Sequence, residues 1–210
     1  MLFKICGLKK IETINCCEKN NVNFFGMIFY KKSPRFINYR KAKYLVEHSK
    51  NKKIDPVGVF VNENIETVKS FIKSLNLKII QLHGNETNEY IKEIKKNCNI
   101  KVIRSVAVKN NDDFKNIYNY EANDYFLFDY KAKENELPGG NAKKFNWSFL
   151  SELNIKKPWF LSGGINISNI NKIKEYANPD GIDLSSGVEE APGIKNTKMI
   201  NRLFNKYYEK

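Results

Sequence analysis

The chain is poor in cysteine and has no long apolar run. Its four cysteines among 210 residues are Cys6, Cys16, Cys17 and Cys98. They form no C-x-x-C pair, and the first residues lack the apolar stretch of a secretory signal. Neither a disulfide framework nor a zinc site is suggested, and no metal is expected. Adjacent Cys16 and Cys17 cannot both face one core from a helix. No run approaches the roughly 20 apolar residues of a membrane span, so no membrane partner is expected. A reducing cytoplasm is the expected location.

Acidic residues are outnumbered. There are 36 Lys and Arg against 23 Asp and Glu, a net charge of +13. Such a charge invites a polyanion. The lysines, however, are scattered along the chain, with no basic tail or arm. Lys, Asn, Ile, Phe and Tyr, all abundant here, have AT-rich codons, and a biased genome yields this surface without any nucleic-acid partner. No nucleic-acid binding is expected. The excess charge suits an anionic small molecule.

What the chain does contain is a rhythm. Eight short apolar runs recur: 2–6, 24–29, 56–61, 78–83, 101–106, 125–129, 159–162 and 181–185. Most are rich in Val, Ile, Phe and Tyr and too short for helices, so they read as buried strands. Amphipathic segments lie between them. Ile65, Val68, Phe71 and Ile72 share one helical face, as do Ile91, Ile94 and Lys95, and Met199, Ile200, Leu203 and Phe204. Strands alternating with helices predict parallel strands with right-handed crossovers. Eight such units predict a (β/α)8 TIM barrel, a single domain over residues 1–210. The rival is a doubly wound open sheet. Its dinucleotide form needs G-x-G-x-x-G after the first strand, which is absent. The longest irregular stretch, 131–145, follows the sixth strand and has the length of a functional loop.

Barrel active sites sit at the C-terminal ends of strands. There the sequence carries Cys6, Arg35, Asn62, His83, Arg104, Asp129, Gly163, Gly164, Ser185, Ser186 and Gly187. Taken singly, each has a plain structural reading. Cys6 alone is a small buried hydrophobe and Asp129 a turn cap. Together, polar groups on one rim favour an enzyme over an interaction scaffold. The turns at Gly163-Gly164 and Ser185-Ser186-Gly187 allow backbone N–H groups to approach an anion closely. Loops after strands seven and eight are a recurring phosphate site in barrels. A phosphorylated small molecule is therefore the expected ligand class, and this reading does not choose the reaction.

The motifs Lys4-Ile5-Cys6-Gly7, the run from Phe29 to Arg35, the run from Val57 to Asn62, Gln81-Leu82-His83-Gly84, Leu161-Ser162-Gly163-Gly164-Ile165 and the run from Asp183 to Glu189, continued by Pro192-Gly193-Ile194-Lys195, occur in this order. The set resembles the ordered motifs of the phosphoribosylanthranilate isomerase family. That resemblance implies a cofactor-free enzyme of tryptophan biosynthesis, carrying out an Amadori rearrangement by general acid/base catalysis. It implies Cys6 as general base, Asp129 as general acid and Arg35 as binder of the anthranilate carboxylate. Gly164, Ser185 and Ser186 would cradle the phosphate, with Gly163 and Gly187 shaping the cradle and His83 lining the site. Asp129 is then expected to have a raised pKa. Cys6 would need a lowered pKa or local help, with Lys4 either supplying positive charge or pairing with a carboxylate. Gly139-Gly140-Asn141-Ala142-Lys143 departs from the G-G-T-G-K-like stretch of the family, and a positive φ at Ala142 would carry strain. A relative from the histidine pathway is the nearest alternative, and such enzymes typically use two carboxylates. Monomer and homodimer are both left open.

Overall fold

Period-two alternation decides what each strand can hold, and here it changes character along the strand. In the computed structural model, which describes residues 1–137, 139–141, 143–151 and 155–209, eight parallel strands close into a barrel. They are β1 (Leu2–Cys6), β2 (Phe24–Ile28), β3 (Asp55–Phe60), β4 (Ile79–Leu82), β5 (Lys101–Val108), β6 (Tyr125–Tyr130), β7 (Trp159–Leu161) and β8 (Gly181–Leu184). They pair in sequence order, and β8 closes onto β1. The predicted TIM barrel is thus observed, with strand limits within two residues of those read from the sequence.

Val57, Val59, Ile79, Ile103, Leu127 and Phe160 fill the inside of the barrel, and Cys6 packs among them. Gly181 leaves the space that the Phe160 ring occupies. A second, larger apolar layer lies between the strands and the surrounding helices. On β1, β4, β6 and β8 the inward positions turn polar toward the C-terminal end: Lys4 and Cys6, Gln81 and His83, Asp129, then Asp183 and Ser185. The apolar floor supplies stability and the polar upper layer supplies chemistry.

The helices α1 (Ile11–Lys19), α2 (Tyr39–Ser49), α3 (Ile65–Ser74) and α4 (Asn88–Asn97) follow the first four strands, and α5 (Thr197–Tyr208) closes the chain. Asn38, Asn64, Thr87 and Asn196 cap four of them through side-chain oxygens. Val68 and Ile72, Ile91 and Ile94, and Ile200, Leu203 and Phe204 are buried on the faces expected.

After β5, β6 and β7 the described residues form 3-10 turns, at Asn111–Asn119, Trp147–Leu150 and Ile170–Glu175. The segment Asn111–Asn119 is rich in Asn and Asp, which bond their own backbone and favour turns over helix interiors. After β8 the chain adds a small antiparallel ribbon, β9 (Glu189–Ala191) with β10 (Ile194–Lys195), before α5.

One expectation is corrected. Cys16 and Cys17 are both buried in the core. Helix α1 packs against α5 as well as the barrel, so it has two buried faces, and Cys16 Sγ lies 3.3 Å from Asn201 Oδ1 on α5.

Candidate active site

Cys6 ends β1, opposite Gly26 of β2 in the sheet register. A Cβ at Gly26 would sit 2.7 Å from Cys6 Sγ, so the missing side chain makes room for the thiol. Gly7 then takes a φ of +84°, which turns the chain sharply off the strand end. A Cβ there would also press on Cδ of Arg35 at 2.9 Å. The KICG stretch therefore brings two expected site residues together, Cys6 by its strand and Arg35 by the space over Gly7.

Asp129 lies on β6 and is buried. Its Oδ1 accepts from the Tyr130 N–H at 2.8 Å. Burial pushes its carboxyl up to about 7, with Asp183 adding to the rise; the Tyr130 N–H, Lys4 and Arg35 pull the other way. Asp129 thus holds its proton far above the ordinary carboxylate range, as the sequence reading expected.

Cys6 behaves differently. Burial pushes its thiol up, and Lys4 and Lys195 only partly offset this. Lys4 sits directly beneath, with Nζ 3.0 Å from Asp183 Oδ1. Burial alone would pull the Lys4 ammonium down, but Asp183 and Cys6 together hold it above its ordinary value. Lys4 therefore does both things the sequence allowed: it pairs with a carboxylate and presents a fixed positive charge to the thiol.

Arg35 is buried after β2. Its Nε and Nη2 donate to the two carboxylate oxygens of Glu189, at 2.9 and 2.7 Å. Nη2 also donates to the Gly140 carbonyl at 3.2 Å, so the loop after β6 rests on the guanidinium. Glu189 in turn accepts from Lys195 Nζ at 2.6 Å, and Lys195 reaches Ser185 O at 3.0 Å. Burial works against the charge on Glu189, yet Arg35 and Lys195 keep its carboxyl below the usual range. One edge of the guanidinium is committed to Glu189. Nη2 gives its second N–H to Gly140, so Nη1 carries the N–H groups with no partner among the described residues, and these remain for a carboxylate.

Gly163 and Gly164 adopt φ of +88° and +66°, and their turn meets Ser185 and Ser186 across a small cavity. Gly187 packs directly against the Ile165 carbonyl, with no space for a Cβ, and so fixes the second turn on the first. His83 Nδ1 lies 2.8 Å from Gln81 Nε2, and His83 Nε2 lies 3.6 Å from Asp129 Oδ2.

Cys6, Arg35, Gln81, His83, Asp129, Asp183 and Ser185 line one cavity of about 50 Å³. Toward β7 and β8 it shares Asp129, Gly140 and Ser185 with the glycine turns. Toward β4 and β5 it shares His83, Asp129 and Gly139 with a cleft of about 780 Å³. Eight of the nine expected site residues thus face one continuous trough, and the ninth, Gly187, packs behind it against Ile165. Asn141 donates to the Leu137 carbonyl at 2.9 Å; Ala142 lies outside the described residues.

Gln81, Asp183, Glu189 and Lys195 were not expected in the site. A charged residue in the middle of an apolar run was the available signal for Asp183. Gln81 sits two residues before His83 and so shares its face. Glu189 and Lys195 meet only because the β9–β10 ribbon folds back, and local sequence carries no sign of that.

The comparison with known families agrees with this geometry. A model of the N-(5'-phosphoribosyl)anthranilate isomerase family matches residues 3–206. The chain belongs to that family. It is 40% identical over 206 residues to N-(5'-phosphoribosyl)anthranilate isomerase of Rhizobium rhizogenes, covering 97% of this chain and 92% of the relative. The barrel is similar to phosphoribosyl anthranilate isomerase of Thermotoga maritima, with a TM-score of 0.87 and 31% identity over 98% of this chain and 97% of that one. A phosphoribosyl anthranilate isomerase solved with reduced 1-(o-carboxyphenylamino)-1-deoxyribulose 5-phosphate has a TM-score of 0.85 and 29% identity, each chain covered to 98%. No helix among the described residues of this family member is long and apolar enough to cross a membrane.

Proposed function

We propose that this isomerase converts N-(5'-phosphoribosyl)anthranilate to 1-(2-carboxyphenylamino)-1-deoxyribulose 5-phosphate, a step of tryptophan biosynthesis, with Asp129 as general acid and Cys6 as general base. The observation that carries this reading is the pairing of Cys6 with a protonated Asp129 in one cavity, between a guanidinium and two glycine turns.

In the first step the Asp129 O–H gives its proton to the furanose ring oxygen. The bond from that oxygen to the anomeric carbon breaks, and the nitrogen lone pair forms the iminium. In the second step the Cys6 thiolate takes the proton from the adjacent sugar carbon. The electrons of that C–H bond neutralise the iminium and give the enolamine, which tautomerises to the ketone. The Lys4 ammonium favours the thiolate, and no cofactor is called for. Arg35 offers Nη1 to the anthranilate carboxylate, and Nη2 as well once the Gly140 carbonyl releases it. The Gly163-Gly164 and Ser185-Ser186-Gly187 turns receive the phosphate through backbone N–H groups, with Lys195 nearby. Residues 1–210 act as one domain, in the cytoplasm.

The group that ends β1 beside Asp129 is a thiol, Cys6, rather than a second carboxylate, and the nearby Asp183 is held in an ion pair with Lys4. That favours the anthranilate substrate over the aminoaldose of the histidine pathway, whose isomerases typically work with two carboxylates. The test is direct. Purified enzyme should turn over the anthranilate substrate and leave the histidine-pathway aminoaldose unchanged; the reverse preference would overturn the reading.

A further inference from the structure

Gln81 occupies an expensive place. It lies between Val59 of β3 and Ile103 of β5 in the sheet register, and only 1% of it is exposed. Its Oε1 has no hydrogen-bond partner among the described residues. A buried amide with an unsatisfied carbonyl costs free energy that a methionine of similar size would not. Among the described residues the one polar contact of its side chain is the bond from Nε2 to His83 Nδ1 at 2.8 Å.

That bond determines where the His83 proton sits. A neutral imidazole carries one N–H, and a nitrogen that accepts a hydrogen bond cannot be the one that carries it. With Nδ1 accepting from Gln81, the proton is on Nε2, which faces Asp129 Oδ2 at 3.6 Å. The ring is neutral at working pH. Burial, together with the charges of Lys4 on β1 and Arg104 on β5, pushes His83 down to about 3. Asp129 on β6 faces it from the other side.

We propose that Gln81 is a positioning residue, holding His83 as its Nε2–H tautomer so that this N–H stabilises the Asp129 carboxylate left after proton donation. The inference rests on the role of Asp129 given above. The Asp129 O–H bond breaks, its electron pair stays on the carboxylate, and its proton goes to the sugar ring oxygen. At 3.6 Å the Nε2–H is short of a hydrogen bond in the resting site; it closes on the carboxylate as Asp129 gives up its proton, and His83 loses none. The opposite tautomer would present a lone pair to Asp129. It would then accept the acid's own O–H and divert it from the substrate.

The chain has only two histidines, His48 and His83, so long-range proton–nitrogen NMR of the resting enzyme reads the tautomer directly, with His48→Gln for assignment. The wild-type spectrum should show His83 protonated on Nε2. Gln81→Met should shift part of the population to Nδ1–H and lower kcat about tenfold, while KM changes less than about twofold. Its melting temperature should stay level or rise, which a merely structural glutamine would not allow. In a His83→Ala background the same change should cost nothing more, since Gln81 acts through that ring.

A wild-type His83 carrying its proton on Nδ1 overturns the inference. So does a Gln81→Met enzyme that keeps the Nε2–H tautomer, or one whose kinetic loss is as large without His83. A fully active Asp129→Asn variant would instead overturn the assignment of the acid, and this inference with it.

Discussion

Lys4 Nζ lies 3.0 Å from Asp183 Oδ1 inside the barrel, between residues paired in register on β1 and β8. Neither side chain has appreciable contact with solvent, so each charge depends on the other. Lys4→Met should therefore leave Asp183 uncompensated and destabilise the fold by about 3–5 kcal/mol. The double variant Lys4→Met/Asp183→Asn should recover most of that loss. Urea unfolding of wild type, Lys4→Met, Asp183→Asn and the double variant measures both; a single variant as stable as wild type would show that the pair is not coupled.

The acid and the base are protonated in the reverse of the usual order. Asp129, at about 7, must keep its proton, while Cys6, pushed above its ordinary value, must lose one. Below about 7 the acid is ready and the thiolate fraction rises tenfold per pH unit. Above it, the growing thiolate fraction is matched by loss of the acid's proton, and the rate levels. It falls only once the thiol itself has titrated. The pH profile of kcat/KM should accordingly rise with unit slope to about 7 and then flatten. A rising limb that bends near the ordinary carboxylate value of about 4 would contradict the burial of Asp129.

The same carboxyl links activity to stability. Its folded pKa exceeds its unfolded one, so the folded state holds an extra proton between about 4 and about 7. The stability this provides is complete below about 4 and lost as pH rises through about 7. Asp129→Asn stays neutral throughout. It should match wild type near pH 4 and exceed it by at least about 1 kcal/mol at pH 8, with little activity. Equal stability of the two proteins at pH 8 would count against a raised pKa.

Arg35 is gripped on its Nε–Nη2 edge by Glu189, and that grip aims Nη1. Arg35→Lys keeps the charge but not the two-edged geometry. It should raise KM and lower kcat/KM about a hundredfold. Glu189→Gln should produce a smaller loss in the same direction, because the guanidinium stays but is less firmly aimed. Steady-state kinetics with unchanged KM in both variants would remove Arg35 from carboxylate recognition.

Strand positions were legible because buried parallel strands are short and mostly apolar, as in Phe24–Ile28 and Lys101–Val108. Helices α3, α4 and α5 announced themselves through periodic apolar faces; α1 and α2 did not, and α1 starts from Lys10 with no side-chain cap. The turns after β5 to β7 were less legible, because Asn- and Asp-rich segments such as Asn111–Asn119 satisfy their backbone locally. Among site residues, those at strand ends could be read from position alone. The Lys4–Asp183 and Glu189–Arg35 contacts span 179 and 154 residues, and only closure of the barrel brings them together. Cys16 was misjudged for the same reason: its burial depends on α5, far along the chain.

The most direct test of the catalytic pair is loss of anthranilate-adduct fluorescence with wild type, Cys6→Ser and Asp129→Asn side by side. Wild type should deplete the signal, and each variant should be slower by about 10²–10⁴-fold in kcat, with melting temperatures showing that both are folded. Full activity in both folded variants would contradict the account.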